Sequence, residues 1–381
     1  MNMIWPNQLI SDFFDKLETL TVSGCTNLTN IVLPNMLRTL RNLKELKIEK
    51  CSSIEEVFDI QGINNVEESR DIVAAELIFL TLRNLEKVKH VWSMDPQGII
   101  TFGKLRTIKI EGCSSLKSVF PKSVAKALTQ LEKLEIKDCA TVEEIVAKEE
   151  GTETTTLFIF PQLTILELQN LPELKSFYPG NHTSEWPSLK GLCINKCDKL
   201  KSVFPTSVAK ALMQLTELEI KDCATVEEIV AKEEGIETTN LFVFPQLTTL
   251  KLQNLPELKS FYPRNHTLEC RSLKGLCINK CDKLKIFGSN KSSVEETNGL
   301  AHHASLILRP LFFVKKVTTS LACHYILLIY IIYTHWIICG WSRLSSGPSV
   351  CIQTAHTCLR ILSQIDLSYV NCDQIKKFWW S

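Results

Sequence analysis

The sequence predicts an α/β solenoid, with parallel strands along a concave side and loops and short helices along the convex side. Two observations carry this. The skeleton L-x-x-L-x-L-x-x-C-x-x-L, with Ile or Val allowed at the Leu positions, recurs ten times in the first 285 residues. Residues 131–142 show it in full, L-E-K-L-E-I-K-D-C-A-T-V. Residues 116–199 also align without a gap on residues 200–283, differing at 13 of 84 positions. That is a tandem duplication of a three-coil block. One unit alone cannot bury its apolar face, whereas stacked units can.

The first Leu of each unit falls at Leu17, Leu43, Leu77, Leu105, Leu131, Leu163, Leu189, Leu215, Leu247 and Leu273. Within a unit, Leu134 and Ile136 are two apart and so share one face of a short strand, the residues between and beside them pointing the other way. Leu131 and Val142 lie where the chain turns into and out of the strand. The residue after the strand is Cys in one type of unit and Asn-Leu in the other, as in L-E-L-Q-N-L at 166–171. An aromatic often stands three residues before the first Leu (Phe14, Phe102, Phe160, Trp186, Phe244) and is read as a core filler between coils. Pro161, Pro187 and Pro245 follow it, favouring an extended approach to the strand. In the returns, residues 121–131 read P-K-S-V-A-K-A-L-T-Q-L, with Ser123 placed as N-cap and Val124, Leu128 and Leu131 at helical spacing. Residues 205–215 copy it. The acidic runs at 143–155 and 227–239 read as solvated loops.

Composition excludes several classes of function. A formal net charge of +1 over 381 residues gives no support to general binding of nucleic acid. Seven of the 15 cysteines (Cys25, Cys51, Cys113, Cys139, Cys197, Cys223, Cys281) share one repeat position and are expected as buried free thiols. No C-x-x-C pair, G-x-S-x-G, H-E-x-x-H, kinase signature or G-x-x-x-x-G-K-[ST] phosphate loop occurs. His182 and His266 are duplicated loop residues, and His302–His303 lack a ligand set. No catalytic residue, cofactor or metal is therefore expected, and the chain is read as non-enzymatic. The first 20 residues carry no signal peptide, and the sequons at Asn27, Asn181, Asn265 and Asn290 are read as chance.

The L-x-x-L-x-I-x-x-C units, with K-S-V-F-P, V-E-E-I-V and L-P-E-L-K-S-F between them, resemble the leucine-rich-repeat region of plant disease-resistance proteins of the intracellular coiled-coil/nucleotide-binding/leucine-rich-repeat class. The likeness covers about residues 9–317. It implies a leucine-rich-repeat horseshoe, a cytoplasmic location, and recognition of a pathogen protein or a guarded host protein, with a restraining contact to a nucleotide-binding domain. That domain has no counterpart in the sequence. The array also begins at once with no polar cap, which favours an alternative role as regulator of a separately encoded nucleotide-binding domain.

The candidate binding surface is the exposed strand face. Its central positions are Thr21, Lys47, Thr81, Lys109, Glu135, Glu167, Cys193, Glu219, Lys251 and Cys277, expected to line up in columns across strands ~4.8 Å apart. Of these, Lys47, Lys109, Glu135, Glu167, Glu219 and Lys251 are the candidate partner contacts. Four of the 13 differences between the duplicated blocks fall on exposed strand positions, Glu132/Thr216, Lys133/Glu217, Ile165/Thr249 and Glu167/Lys251.

The solenoid is expected over 9–287 and a polar linker over 288–317. The apolar tail, 318–381, contains 21 residues without Asp, Glu, Lys or Arg at 321–341, long enough to span a membrane. A C-terminally anchored adaptor is thus a further alternative. Lys316-Val317 can be encoded with a splice-donor-like join, and translation of a retained intron stands ahead of a true span and of an apolar cap for this tail.

Overall fold

The structure is a computed structural model that describes residues 14, 16–32, 40, 42–60, 73–96, 100–147, 157–177, 183–231, 241–262, 267–289 and 310–314. The two central histidine loops, the sequons at Asn181, Asn265 and Asn290, His302–His303 and the tail 318–381 lie outside them.

Ten five-residue strands form one parallel sheet in strict chain order: β1 Thr19–Ser23, β2 Glu45–Glu49, β3 Phe79–Arg83, β4 Thr107–Glu111, β5 Lys133–Lys137, β6 Ile165–Gln169, β7 Gly191–Asn195, β8 Glu217–Lys221, β9 Thr249–Gln253 and β10 Gly275–Asn279. The register is the one the repeat dictates. Leu134 lies between Ile108 and Leu166, and Ile136 between Ile110 and Leu168. From β2 onward the second and fourth residues of each strand are buried, while the first, third and fifth are not. Leu134, Ile136, Leu166, Leu168, Leu218, Ile220, Leu250 and Leu252 are all buried.

The residue that follows each strand turns the chain. All ten have positive φ: Gly24, Lys50, Asn84, Gly112, Asp138, Asn170, Lys196, Asp222, Asn254 and Lys280. Asn, Asp and Gly tolerate this left-handed conformation best, which accounts for seven of the ten. At Gly112 (φ 68°) an added Cβ would run into the Asn84 side-chain oxygen, which would have to rotate away. The N–H of the turn residue donates to the end of the next strand, as from Asp138 to the Gln169 carbonyl at 3.0 Å.

One residue later comes the Cys position. Cys51, Cys113, Cys139, Cys197, Cys223 and Cys281 are buried and free. Each thiol donates back to the carbonyl two residues before it, at 3.2 Å for Cys139 and Cys223. A small apolar side chain with a weak donor fits both demands of the position. Cys25 departs from the expected burial. It is exposed, because no coil packs on β1 from the other side among the described residues.

The returns contain more strand than the sequence indicates. The K-S-V-F and E-E-I-V segments pair in parallel, Ser118–Phe120 with Glu144–Val146 and Ser202–Pro205 with Glu228–Ala231. Asn30–Val32, Glu56–Phe58 and His90–Trp92 form the same ladder earlier in the chain. The start of each acidic run is therefore a strand and not a solvated loop. Buried Ile145, Val146, Ile229 and Val230 hold it down. Lys285–Ser289 also pairs with Pro310–Val314, which lies within the stretch read as linker.

Helices α1 (Lys122–Ala127) and α2 (Thr206–Ala211) are each a turn and a half, shorter than the spacing of Val124, Leu128 and Leu131 implied. Leu128 is the C-cap and Leu131 already belongs to the approach to β5. Ser123 is not the N-cap; Pro121 is, without a side-chain cap bond. The orphan N–H of Ser123 donates instead to Asp95 of the preceding coil at 3.1 Å, and its hydroxyl bonds the same carboxylate. An acidic acceptor at a helix start is favourable, and here it comes from 28 residues upstream.

The aromatics before each first Leu are core, as expected. Phe102, Phe160, Trp186 and Phe244 are buried, and Phe14 is partly buried against the hydrophobic core.

Candidate binding face

The outward residues of the ten strands form continuous columns. The central column runs Thr21, Lys47, Thr81, Lys109, Glu135, Glu167, Cys193, Glu219, Lys251, Cys277, each paired in register with the next. All six candidate contact residues are thus brought onto one face. They differ from the expected picture in being half-buried and engaged in ion pairs along the face. The Glu135 side chain is only 17% exposed.

Around Glu135 the charges interlock. Lys133 lies 3.2 Å from Glu135 and 3.1 Å from Glu167, and Lys137 lies 2.5 Å and 3.1 Å from the same two carboxylates. Lys109 stands 3.7 Å from Glu135 on the other side. Burial acts to raise the Glu135 carboxyl, but the hydrogen bonds and charges of Lys137 and Lys133 outweigh it and hold the group below the ordinary carboxylate range. The Lys137 ammonium is held above its usual value by Glu135 first. Lys47 and Arg83 close on Glu49 at 3.2 and 3.3 Å. In the second block, Lys251 lies 3.1 Å from Glu217 and 3.0 Å from Glu219, and its ammonium is likewise raised by Glu219 and Glu217.

Placed in register, two of the block differences fall on one ion pair. Lys133 and Glu167 pair across β5 and β6 at 3.1 Å, and their counterparts Glu217 and Lys251 pair across β8 and β9 at 3.1 Å with both charges exchanged. The pair survived reversal. We therefore expect K133E and E167K each to destabilise the chain by about 0.2–1 kcal/mol, and the double variant to recover most of the loss. Urea denaturation of the four proteins measures the coupling. Additive losses would show that the two charges do not interact.

The sequence reading passed over Phe79, an outward β3 residue that is 44% exposed. Its signal was an aromatic at a position that, apart from Ile165, is polar or small. Cys193, in the central column, is no nucleophile: burial, then Glu219 and Glu167, push its thiol up to about 11. Among the described residues no group of three or more His, Cys, Asp or Glu could hold a metal ion. No helix among them is long and apolar enough to cross a membrane, and 321–341 is outside them.

Ten coils, with L-x-L strands buried from β2 onward, a left-handed turn residue and a Cys or Asn-Leu step define a leucine-rich-repeat solenoid. The family described as "Plant disease resistance protein RPS2-like, leucine-rich repeats" matches residues 1–140, 131–224 and 214–291, and the chain belongs to that family. Disease resistance protein UNI of Arabidopsis thaliana is 25% identical over 288 residues, covering 76% of this chain and 27% of that protein. Disease resistance protein SUMM2, also of Arabidopsis thaliana, is 33% identical over 98 residues, covering 26% of this chain and 10% of that protein. The chain thus spans about a quarter of the length of the first of these relatives.

Proposed function

We propose that the chain is a non-enzymatic recognition module of plant defence that binds a protein, from a pathogen or a guarded host component, on its strand face. The observation that supports this best is the ten-strand face itself. Its outward columns are continuous and stand on a fully buried scaffold, and their residues can change without disturbing the core, as the exchanged pair Lys133–Glu167 and Glu217–Lys251 shows. Repeat proteins use such extended faces for partners. Buried thiols on adjacent coils hydrogen-bond one another, which pushes Cys139 and Cys197 up and holds Cys113 and Cys223 below the ordinary thiol range.

Expression in plant tissue followed by recovery of bound proteins tests the reading. Variants reversing Lys47, Glu135 and Glu219, and separately Phe79→Glu, should lose partners that the parent chain retains. Full recovery by both variants would reject the strand face.

A second reading follows from the 27% coverage of the first relative. The same face would then regulate a nucleotide-binding domain supplied in the same or a separate chain. Co-expression with the remainder of such a relative, scored by co-purification, distinguishes the two.

A further inference from the structure

We infer that the part of the strand face from β7 to β10 is a docking surface for an acidic segment of a protein partner. The inference rests on the strand face being the binding face and names the chemistry of what binds there.

The charge on the face is unevenly distributed. Counting each strand with the residue before and after it, β1 to β6 carry eight cations and eight carboxylates. The strands β7 to β10 carry six lysines (Lys190, Lys196, Lys221, Lys251, Lys274, Lys280) against three carboxylates, Glu217, Glu219 and Asp222.

Pairing divides the face in the same way. Among the first six coils, the two cations that stand before a strand each meet a carboxylate on an adjacent coil, Lys44 with Glu18 at 2.7 Å and Arg106 with Glu132 at 3.2 Å. Lys190 stands in that column between Thr164 and Thr216, and Lys274 beside Thr248. Thr216 stands where the first block has Glu132, so the carboxylate is absent here. Lys221 corresponds to Lys137, which two carboxylates hold. The exchange that put Lys251 in place of Glu167 removed one of them, and Lys251 now takes up Glu219. The in-register neighbours of Lys221 are Asn195 and Gln253. Asp222 accepts from Asn254 Nδ2 at 2.9 Å and makes no ion pair with Lys196. Five of the six lysines therefore make no ion pair among the described residues, and only Lys251 is neutralised.

The two outer strands of this stretch, β7 and β10, present a low surface. The identical segments K-G-L-C-I-N-K at 190–196 and 274–280 place only Gly, Cys and Asn outward on β7 and β10, with a lysine at either end. No heavy atom lies within 4 Å of where a Cβ on Gly191 would sit. Three strand spacings separate Lys190 from Lys274, roughly 14 Å. An acidic segment laid across β7–β10 could reach Lys190, Lys221 and Lys274 in turn while its backbone approaches the short side chains. The lack of any outward aromatic on these four strands disfavours single-stranded nucleic acid, which uses aromatic stacking platforms.

The test measures fluorescence anisotropy of a fluorescein-labelled oligoglutamate peptide titrated with the full chain, at low and at high salt. The parent should bind, and salt should weaken it. K190E/K221E/K274E should weaken binding by about tenfold or more, and the neutral K190Q/K221Q/K274Q by less. K89E, which reverses a charge in the returns, should leave it unchanged. The inference is overturned if the parent binds oligoserine equally well, if both triple variants bind like the parent, or if oligothymidylate binds as tightly as oligoglutamate. Loss of partners by Phe79→Glu, with no oligoglutamate binding by the parent, would remove this inference and leave the strand-face reading intact.

Discussion

Phe102→Ala should destabilise the protein by about 3–5 kcal/mol, because it removes a fully buried aromatic and leaves a cavity that a stacked coil cannot close. Phe102 is 0% exposed, and its ring centroid lies 5.1 Å from Phe58 and 5.5 Å from Trp92. Trp92 in turn meets Phe120 at 5.8 Å. These four rings tie together the interiors of the coils that carry β2, β3 and β4. A solenoid couples mainly to its neighbours, so the damage should be local in character. Amide hydrogen exchange should show protection lost around β2–β4 first, with β8 and β9 retaining theirs. A loss below about 1 kcal/mol, or one spread evenly over the array, would contradict this account of the aromatic cluster.

Leu134→Ala and Leu218→Ala should each cost about 2–5 kcal/mol and should agree with each other within about 1 kcal/mol. The two residues are duplicates, buried to 0% and 1% exposure. Leu134 is flanked by Ile108 and Leu166, and Leu218 by Leu192 and Leu250. Their surroundings thus differ by one Ile-to-Leu exchange, a shape change that usually costs little. Urea midpoints compared at equal slope measure both losses. A larger gap would mean that position within the stack outweighs local packing, as it would if the array frays from one end.

The strand core was legible because its information is local. A period of two within five residues, repeated ten times, leaves one register that buries every Leu and Ile, and a slip of one residue would expose all of them. Leu134, Ile136 and their equivalents therefore lie where the pattern puts them. The return ladders were not legible. V-F at 119–120 and I-V at 145–146 are too short to show alternation, and their pairing partners are 26 residues away. Ser123 was misplaced for a similar reason. Its acceptor, Asp95, lies in another coil, so the local cap rule favoured a role the fold does not use.

The candidate site divides along the same line. That Lys47, Lys109, Glu135, Glu167, Glu219 and Lys251 share one face follows from the repeat alone, since outward positions stack whenever the inward ones do. Which of them are neutralised does not follow from it. Glu135 is closed in by Lys133 and Lys137, whereas Lys221, at the position of Lys137, is left open because residue 251 changed sign. Ion pairing depends on which side chains meet across a strand gap, and 34 residues of chain separate Lys133 from Glu167 and Glu217 from Lys251. The sequence by itself determined the coil, its buried face and the alignment of the outward columns, because those depend on spacing. Only the tertiary structure decided which charges cancel and which remain for a partner, because cancellation depends on contact between coils.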